Sequence, residues 1–426
     1  MPGQTIAEKI FSAHVGREVY ADEIVIADVD FVMGQDGTSP LAIKALAAMG
    51  HEDRVFDPDK VALVIDHSAP SPLEGVSALH QQMRAFARAS GARLFDVGRG
   101  VCHQLLPEQG LVVPGDLVVG CDSHTCTYGA LGAFSTGVGS TDGAAAMATG
   151  KLWFKVPRTI RVLLTGELPA GVFAKDLILH LAGLIGADGA TYEALEFAGP
   201  VIDALSVEAR MTICNMAIEV GAKAGLIAPD EKTLAWVAAH ADREPRPAVP
   251  DSDAVYERVI EIDVSDLAPQ IACPHAVDNV VALPDLPETE IAQGFLGTCT
   301  NGRLEDFAVA AGIIAGHKLA PGVRLIVAPA SADIYQDAIA AGYIQTFVEA
   351  GACIVTPGCG PCVGTHNGVP SDGENVISTA NRNFKGRMGN SQAFIYLGSP
   401  ATVAASVLAG RLTDPRPYFK QEGGHS

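Results

Sequence analysis

The sequence predicts an α/β protein. Short apolar runs alternate with helix-like stretches, and the 426 residues are rich in glycine and alanine while aromatic residues make up only 6%. Small side chains favour close packing of helices on mostly parallel sheets over a β-sandwich. Hydrophobic residues account for 48% of the chain, which is enough to fill the cores of two or three domains.

The alternation of strands and helices divides the chain into three predicted α/β units. In the first unit, the apolar run 61–65 and the helix-like stretch 79–89 are typical of the pattern. A stretch rich in proline and acidic residues, 243–289, is predicted to be a connector with one strand at 259–263, and the tail 421–426 is predicted to be disordered. The predicted units comprise residues 1–157, residues 158–285 with the connector, and residues 286–426.

Charge and composition exclude several classes of protein. The net charge of −20 disfavours binding to nucleic acid or anionic membranes. No apolar run approaches the roughly 18 residues that span a bilayer, and Glu8 and Lys9 interrupt the position where a signal peptide needs an apolar core. Nine cysteines, an odd number, fit reduced thiols better than a disulfide framework. The expected location is therefore the cytoplasm.

Three cysteines in two fragments are the strongest chemical signal. Cys299 lies in Gly297-Thr-Cys-Thr-Asn-Gly-Arg303, whereas Cys359 and Cys362 lie in Gly358-Cys-Gly-Pro-Cys-Val-Gly364. Three thiolates can hold a four-iron cluster and leave one iron without a protein ligand, and such an iron would act as a Lewis acid. A thioredoxin-like redox pair, a zinc site and inert thiols remain open on the motif alone. Two glycines and a proline within 363–370 cannot continue a helix, so a turn after a strand is the better prediction for the second fragment.

Polar clusters follow two apolar strands, where α/β proteins present their chemistry. Asp66 and His67 come after 61–65, and the carboxylate could fix the tautomer of the imidazole for proton transfer; a pair at the protein surface is the alternative. Asp122, Ser123 and His124 repeat the arrangement, although a turn capped by the aspartate would look the same.

Three further residues are weaker candidates on their own. His103 would more often be a satisfied core histidine than a catalyst. Asn215 and Glu219 are four residues apart, so a helix would present both on one face, toward a polar site or toward solvent.

A glycine-containing loop carries two guanidinium groups. Arg382 and Arg387 in Asn381-Arg-Asn-Phe-Lys-Gly-Arg387 could grip carboxylates, and a basic surface loop is the alternative. The glycines of 137–143 do not have the spacing of a dinucleotide-binding loop, and no clean strand leads into them.

Taken in order, these fragments resemble the aconitase superfamily over nearly the whole chain, and within it the large subunits of the isopropylmalate dehydratase and homoaconitase group. The matching fragments are Met33-Gly-Gln-Asp36, Val64-Ile-Asp-His67, Gly120-Cys-Asp-Ser-His-Thr-Cys-Thr-Tyr-Gly129, Ile213-Cys-Asn-Met216, Gly297-Thr-Cys-Thr-Asn301, Cys359-Gly-Pro-Cys362 and Asn381-Arg-Asn-Phe384. The resemblance implies three α/β/α domains with mostly parallel sheets around a central cluster site.

The resemblance also implies a role for each candidate residue. Cys299, Cys359 and Cys362 would bind one 4Fe-4S cluster per chain, and Asp66 with His67 would protonate the departing hydroxyl of a hydroxy acid. The residues expected to organise water and hydroxyl are His103, Asp122, His124 and Glu219. The residues expected to hold substrate or cluster sulfur are Gln35, Ser123, Asn215, Asn381, Arg382 and Arg387.

One departure from the single-chain aconitases concerns the fourth, swivelling domain, which carries the serine base and further arginines. None of the three predicted units is expected to form such a domain, so the resemblance implies a separate small subunit as partner. The chain alone is therefore expected to bind the cluster without being able to abstract the substrate proton.

The substrate is expected to be a hydroxy di- or tricarboxylic acid, with 3-isopropylmalate of leucine biosynthesis as the first choice. Homocitrate, citramalate and 2,3-dimethylmalate are the alternatives within the group. Two alternatives come from other classes of protein: a thiol redox protein that uses Cys359 and Cys362, and an RNA-binding regulator. The acidic net charge disfavours the RNA-binding regulator.

Overall fold

The computed structural model describes residues 2–419, so the predicted disordered tail 421–426 lies outside the described residues. Three sheets follow one another along this part of the chain, and each is packed against helices. Nearly all strand pairs within them are parallel. The predicted α/β fold with mostly parallel sheets is thus confirmed, while the domain boundaries stay a prediction.

The first sheet has five parallel strands in the order β4-β3-β2-β5-β6, and a two-stranded antiparallel ribbon of β1 and β7 lies apart from it. Its central strands are buried along their whole length, which is why they read as continuous apolar runs. The elements of this part of the chain, the ribbon included, are α1 (Ile6–Val15), β1 (Ile24–Asp28), β2 (Phe31–Gln35), α2 (Ser39–Ala48), β3 (Val61–Val64), α3 (Glu74–Ser90), β4 (Arg93–Phe95), α4 (Cys102–Glu108), β5 (Leu117–Gly120), β6 (Phe134–Gly137), α5 (Ser140–Thr149) and β7 (Lys151–Lys155).

The second sheet has four parallel strands in the order β10-β9-β8-β11. Its elements are β8 (Thr159–Thr165), α6 (Ala174–Ile185), β9 (Ala194–Ala198), α7 (Pro200–Ala204), α8 (Val207–Asn215), β10 (Ala224–Ile227), α9 (Glu231–His240) and β11 (Arg258–Asp263). The apolar core beneath this sheet continues without interruption to Phe295 and Val376 of the third unit. The two units therefore share one core, which fixes their relative position.

The third sheet has seven strands in the order β13-β12-β18-β17-β14-β15-β16. Its elements are β12 (Gln270–Ala272), β13 (Val280–Ala282), β14 (Gln293–Leu296), α10 (Thr298–Asn301), α11 (Leu304–Ile314), β15 (Arg324–Val327), α12 (Ala332–Ala340), α13 (Tyr343–Ala350), β16 (Cys353–Ile354), β17 (Asn375–Ser378), β18 (Phe394–Leu397) and α14 (Pro400–Ala409). Strands β12 and β13 attach antiparallel at one edge.

The stretch 243–289 is more structured than its composition predicts. It contains β12 and β13 in addition to the expected strand β11. The prolines flank these short strands and do not interrupt them, and an antiparallel edge tolerates three-residue strands because the sheet behind them supplies the packing.

None of the helices within residues 2–419 combines the length and the apolarity of a membrane span.

Candidate active site

The first and third sheets present their carboxyl ends to a common space, and the loops that follow their strands carry the chemistry. Gln35 is the last residue of β2, while Asp66 follows β3 and Asp122 follows β5 in the first sheet. In the third sheet, Cys299 follows β14, Cys359 follows β16, and Asn381 follows β17. Ligand sites in open α/β sheets lie at such strand ends.

Asp66 and His67 form a close pair in the loop after β3. Asp66 is fully buried, and one carboxylate oxygen lies 2.7 Å from Nδ1 of His67 while the other accepts the backbone N–H of Cys102 at 2.7 Å. The Asp66 contact places the hydrogen on Nδ1, so Nε2 faces the remaining polar groups of the site. Burial lowers the pKa of His67, but negative charge on Cys359 and Asp66 and the hydrogen bonds to Asp122 and Asp66 outweigh burial and raise that pKa well above its usual value.

Asp122 is the carboxylate on which three histidines converge. Its Oδ1 lies 2.7 Å from Nε2 of His103 and accepts the backbone N–H of His124 at 2.9 Å, while its Oδ2 lies 3.3 Å from Nε2 of His67. Gln35 donates to the same oxygen at 3.4 Å. Burial opposes ionisation of Asp122, but its histidine contacts hold its pKa well below the usual range.

Glu219 joins the second unit to this site. Its Oε1 lies 2.8 Å from Nε2 of His124 and 2.8 Å from Nε of Arg382. Burial raises the pKa of Glu219, but these two partners more than offset burial, so the net pKa is lowered. The carboxylate is thus held ionised between a histidine and an arginine from different units.

The local helix around Asn215 and Glu219 differs from the prediction. Helix α8 ends at Asn215, and Glu219 lies in a 3-10 turn, Met216–Val220, rather than one turn further along the same helix. The tighter winding of the 3-10 turn changes the directions of the side chains, so the two residues serve different partners. Glu219 contacts His124, whereas Asn215 donates to the sulfur of Cys299.

The three cysteine thiols are buried and surrounded by donors. Asn215 and Asn381 donate to the Cys299 sulfur at 3.2 and 3.5 Å, and Nη2 of Arg387 donates to the Cys362 sulfur at 3.3 Å. The Oδ1 of Asn381 also lies 3.9 Å from the Cys362 sulfur, so one amide contacts both cysteines. Donors aimed at sulfur stabilise thiolates, and this donor set fits an iron–sulfur cluster.

Among the three cysteines, Cys359 is the one that contacts the first unit. Its sulfur is 3.7 Å from Nδ1 of His67, and ligand atoms of Asp66, His67 and Cys359 lie within 4.8 Å of one another. Burial raises the pKa of the Cys299 thiol to about 11 and raises that of Cys359 as well. Thiols in such surroundings would become ligands when a metal replaces their protons, which are released to solvent. Burial of Cys359 and Cys362 also disfavours exchange with a partner's disulfide.

The loop around Cys299 holds an uncommon backbone. Gly297 has φ 155°, and a side chain there would come within 2.6 Å of the carbonyl oxygen of Ala328. Thr298 has φ 76°, a left-handed conformation that costs a residue with a branched Cβ free energy. The strain lies directly before the thiol, at the position where the chain turns from β14 into α10.

Two predicted residues make fewer contacts than the rest. Ser123 is half-buried at the start of the 3-10 turn Ser123–Leu131, next to Asp122. The guanidinium of Arg382 uses its Nε for Glu219 and is partly exposed, which leaves its outer nitrogens available.

Asp36 lies at the site, although its motif predicts no role for it. Its carboxylate accepts the backbone N–H groups of Asp66, His67 and Ser68 at 3.0, 2.8 and 2.9 Å, and its Oδ2 lies 3.2 Å from Nε2 of His80. Burial raises the pKa of Asp36, but these contacts lower it well below its usual value. A signal was present, because Asp36 follows β2 directly, as Asp66 and Asp122 nearly follow β3 and β5.

Known proteins resemble this chain over nearly its whole length. A model of the aconitase family (aconitate hydratase) matches residues 8–289 and 283–410. The 3-isopropylmalate dehydratase large subunit 1 of Methanopyrus kandleri is 52% identical over 418 residues, which cover 98% of this chain and all of the relative. The protein of the same name from Thermotoga maritima is 53% identical over 420 residues, with the same coverage of 98% and 100%.

A solved structure supports the fold at greater distance. The holo-form of Thermococcus kodakaraensis aconitase X superposes with a TM-score of 0.51 at 14% sequence identity, and 88% of each chain is covered. At this identity the likeness concerns the fold alone.

Proposed function

Because the chain belongs to the aconitase family, we propose that it is the large, cluster-binding subunit of a hydro-lyase that interconverts 3-isopropylmalate and 2-isopropylmalate in leucine biosynthesis. The observation that carries this proposal is the meeting of three buried thiols with the Asp66–His67 pair and the Asp122 and Glu219 carboxylates. The names of the most similar relatives support the substrate. The family supports an iron–sulfur-dependent enzyme.

Cys299, Cys359 and Cys362 would hold one 4Fe-4S cluster in each chain. Such a cluster supplies Lewis acidity, because three protein ligands leave one iron open toward the oxygens of a substrate. Asn215, Asn381 and Arg387 direct their donors at the sulfurs, so they serve the ligands rather than the substrate.

His67 transfers a proton to the hydroxyl that leaves. Its Nδ1 is paired with buried Asp66, which keeps the ring oriented and favours the protonated form, so Nε2 is the atom that gives the proton. The proton returns to Nε2 when water is added in the reverse direction.

Asp122, His103, His124 and Glu219 form a continuous polar network beside His67. Such a network orients water and the departing hydroxyl, because each of its members is fixed by at least one partner. Gln35 and Ser123 border it and offer further hydrogen bonds to a carboxylate. Arg382 is placed to pair with a substrate carboxylate through the nitrogens that do not contact Glu219.

The proposal includes a small subunit as partner, since the relatives are named large subunits. That subunit would carry the swivelling domain and the base that removes the proton from carbon. Nucleic acid and membranes are not proposed as partners. We place the assembly in the cytoplasm, where nine unpaired cysteines and a cluster would stay reduced.

The test is a dehydration assay with the anaerobically reconstituted chain, with and without its small subunit, followed by absorbance of the enoate product. The panel holds 3-isopropylmalate, homocitrate, citrate, citramalate and 2,3-dimethylmalate. We expect turnover of 3-isopropylmalate only when the small subunit is present. Turnover of another acid would reassign the substrate, and full turnover by the chain alone would contradict the divided site.

A further inference from the structure

Lys175 is a buried lysine for which the proposed function has no role. It is the second residue of α6, and its side chain is fully buried. The lysines that form ion pairs within residues 2–419 are Lys9, Lys151 and Lys155, and all three are partly exposed. An ammonium group that leaves water without a carboxylate partner costs free energy, so its retention needs a compensating interaction.

The compensating interaction is with the segment that leads to the site. The Lys175 Nζ donates to the backbone carbonyl oxygens of Thr379 and Ala380 at 2.9 and 2.6 Å. These are the two residues immediately before Asn381 and Arg382. Asn381 contacts the Cys299 sulfur, and Arg382 contacts Glu219.

Thr379 also ties this segment to the cysteine loop. Its hydroxyl accepts the backbone N–H of Gly297 at 2.9 Å and donates to the carbonyl oxygen of Gly297 at 3.0 Å. Lys175 therefore holds the point at which the loop of Cys299 and the segment of Asn381 meet. Because both carbonyls point at one cation, a change of position in either would break a charge-assisted hydrogen bond.

Two cysteines and two aspartates determine the electrostatic surroundings of Lys175. Burial lowers the pKa of Lys175 to about 7, while negative charge on Cys362 and Cys299, which these residues carry when they ligate metal, is the largest neighbouring influence that favours the ammonium form. Asp306 and Asp176 act in the same direction to a smaller extent. Thiolates bound to a cluster carry a net negative charge, which a cation inside the core offsets.

We propose that Lys175 is a positioning residue and the buried counter-charge of the cysteine-bound cluster, holding Asn381 and Arg382 in place through the carbonyls of Thr379 and Ala380. This inference rests on the proposed iron–sulfur centre. A positive charge near a cluster favours its reduced state, so Lys175 raises the reduction potential.

The experiment separates charge from hydrogen bonding with three variants of the full chain. Lys175→Met removes both, Lys175→Gln keeps a donor without charge, and Lys175→Arg keeps the charge. The matched control is Lys232→Met, because Lys232 also donates to backbone carbonyls, of Asp203, Ala204 and Leu205, but is exposed. Circular dichroism of each metal-free variant checks folding.

The first readout is the reduction potential of the reconstituted cluster, measured by redox titration with electron paramagnetic resonance. We expect a shift to more negative potential in Lys175→Met and Lys175→Gln, and none in Lys175→Arg or Lys232→Met. With the small subunit present, we expect kcat/KM of Lys175→Met to fall about 10- to 100-fold, the range for outer partners of a metal site. The kcat/KM of Lys175→Gln should fall less than that of Lys175→Met.

Failure of the proposed function and failure of the inference about Lys175 would give different results. A wild-type chain that takes up no iron and shows no cluster absorbance overturns the proposed function and this inference together. A loaded wild-type chain whose potential is unchanged in both neutral variants overturns this inference alone, and so does an equal shift in Lys232→Met. If Lys175→Met does not fold, the comparison of Lys175→Gln with Lys175→Arg decides the question.

Discussion

Asp122 illustrates how single residues acquire their chemistry at this site. Alone after β5, it would be an ordinary turn-capping aspartate, and it does accept the backbone N–H of His124. Contacts with His103 and His67 convert it into the centre of a network. The same holds for the cysteines, whose sulfurs receive donors from Asn215, Asn381 and Arg387.

Loss of a cysteine ligand is predicted to abolish cluster binding. In Cys359→Ser, we expect iron content and cluster absorbance to fall to a small fraction of the wild-type values after reconstitution, because a hydroxyl is a much poorer ligand for iron than a thiolate. The matched control is Cys353→Ser, which makes the same change at an exposed cysteine only six positions away. Equal loss of iron in both variants would contradict the assignment of Cys359.

Asp36 is predicted to act on turnover without touching substrate. In Asp36→Asn, the carboxylate that receives three backbone N–H groups of the 66–68 loop loses its charge and one acceptor. We expect kcat to fall about 10- to 100-fold because His67 is misplaced, with faster hydrogen exchange at the amides of 66–68.

Asp59→Asn is the matched control for Asp36, since Asp59 is highly exposed and precedes β3, at the end of the strand opposite to Asp66. Unchanged exchange at 66–68 in Asp36→Asn would show that the loop does not depend on this carboxylate.

At the scale of elements, helix ends and strand ends explain where the polar groups lie. Helix α1 begins with a capping box in which Thr5 and Glu8 satisfy each other's backbone N–H groups. At its other end, Nδ1 of His14 contacts the carbonyl of Ile10, and Nε2 lies 2.5 Å from Asp30 in the turn between β1 and β2. The helix is thus attached to the first sheet by an ion pair that responds to pH.

The His14–Asp30 pair is predicted to make stability depend on pH at both ends. Burial lowers the pKa of His14, but the contact with Asp30 outweighs burial, and the resulting pKa is above 6.5. Burial raises the pKa of Asp30, but His14 and the other partners of this carboxylate lower it to about 2, below the usual 3.8. The His14 contribution is complete below pH 6.5 and is lost as pH rises through its raised pKa. The Asp30 contribution is complete above pH 3.8 and is lost as pH falls toward about 2.

The measurement is the free energy of unfolding of wild type and His14→Gln across this range. The advantage of wild type should be largest between pH 3.8 and 6.5 and should shrink on either side. His240→Gln is the control, because His240 also contacts the carbonyl four residues earlier but is exposed. A difference that does not change with pH would contradict the ion pair.

For the whole molecule, the site exists because three units meet. Arg303 shows how closely they are joined: it is almost fully buried, its Nε donates to Gln104 of α4 at 3.0 Å, and its Nη2 donates to the carbonyl of Cys299 at 2.7 Å. One side chain therefore connects the first unit to the cysteine loop of the third.

Arg303→Met is predicted to loosen this junction. Loss of the buried guanidinium leaves several acceptors without donors, so we expect the free energy of unfolding to fall by roughly 3 kcal/mol and cluster uptake to decrease. The matched control is Arg210→Met, which removes an equally buried arginine whose partners all lie in the second unit. It should lower stability with a smaller effect on uptake. Equal cluster uptake by Arg303→Met and Arg210→Met would contradict the role of Arg303 at the junction between the units.

The sequence by itself determined the fold class, and its motifs pointed to the three cysteines and to most of the polar residues that the fold brings together, because apolar periodicity and short motifs each lie within a few residues. The tertiary structure decided how the pieces combine. That β12 and β13 join the third sheet, that Glu219 serves His124 while Asn215 serves Cys299, and that Asp36 holds the 66–68 loop are results of contacts between distant segments. The role of Lys175 has the same origin, since nothing in its neighbouring residues predicts the two carbonyls about 200 positions away that hold its charge.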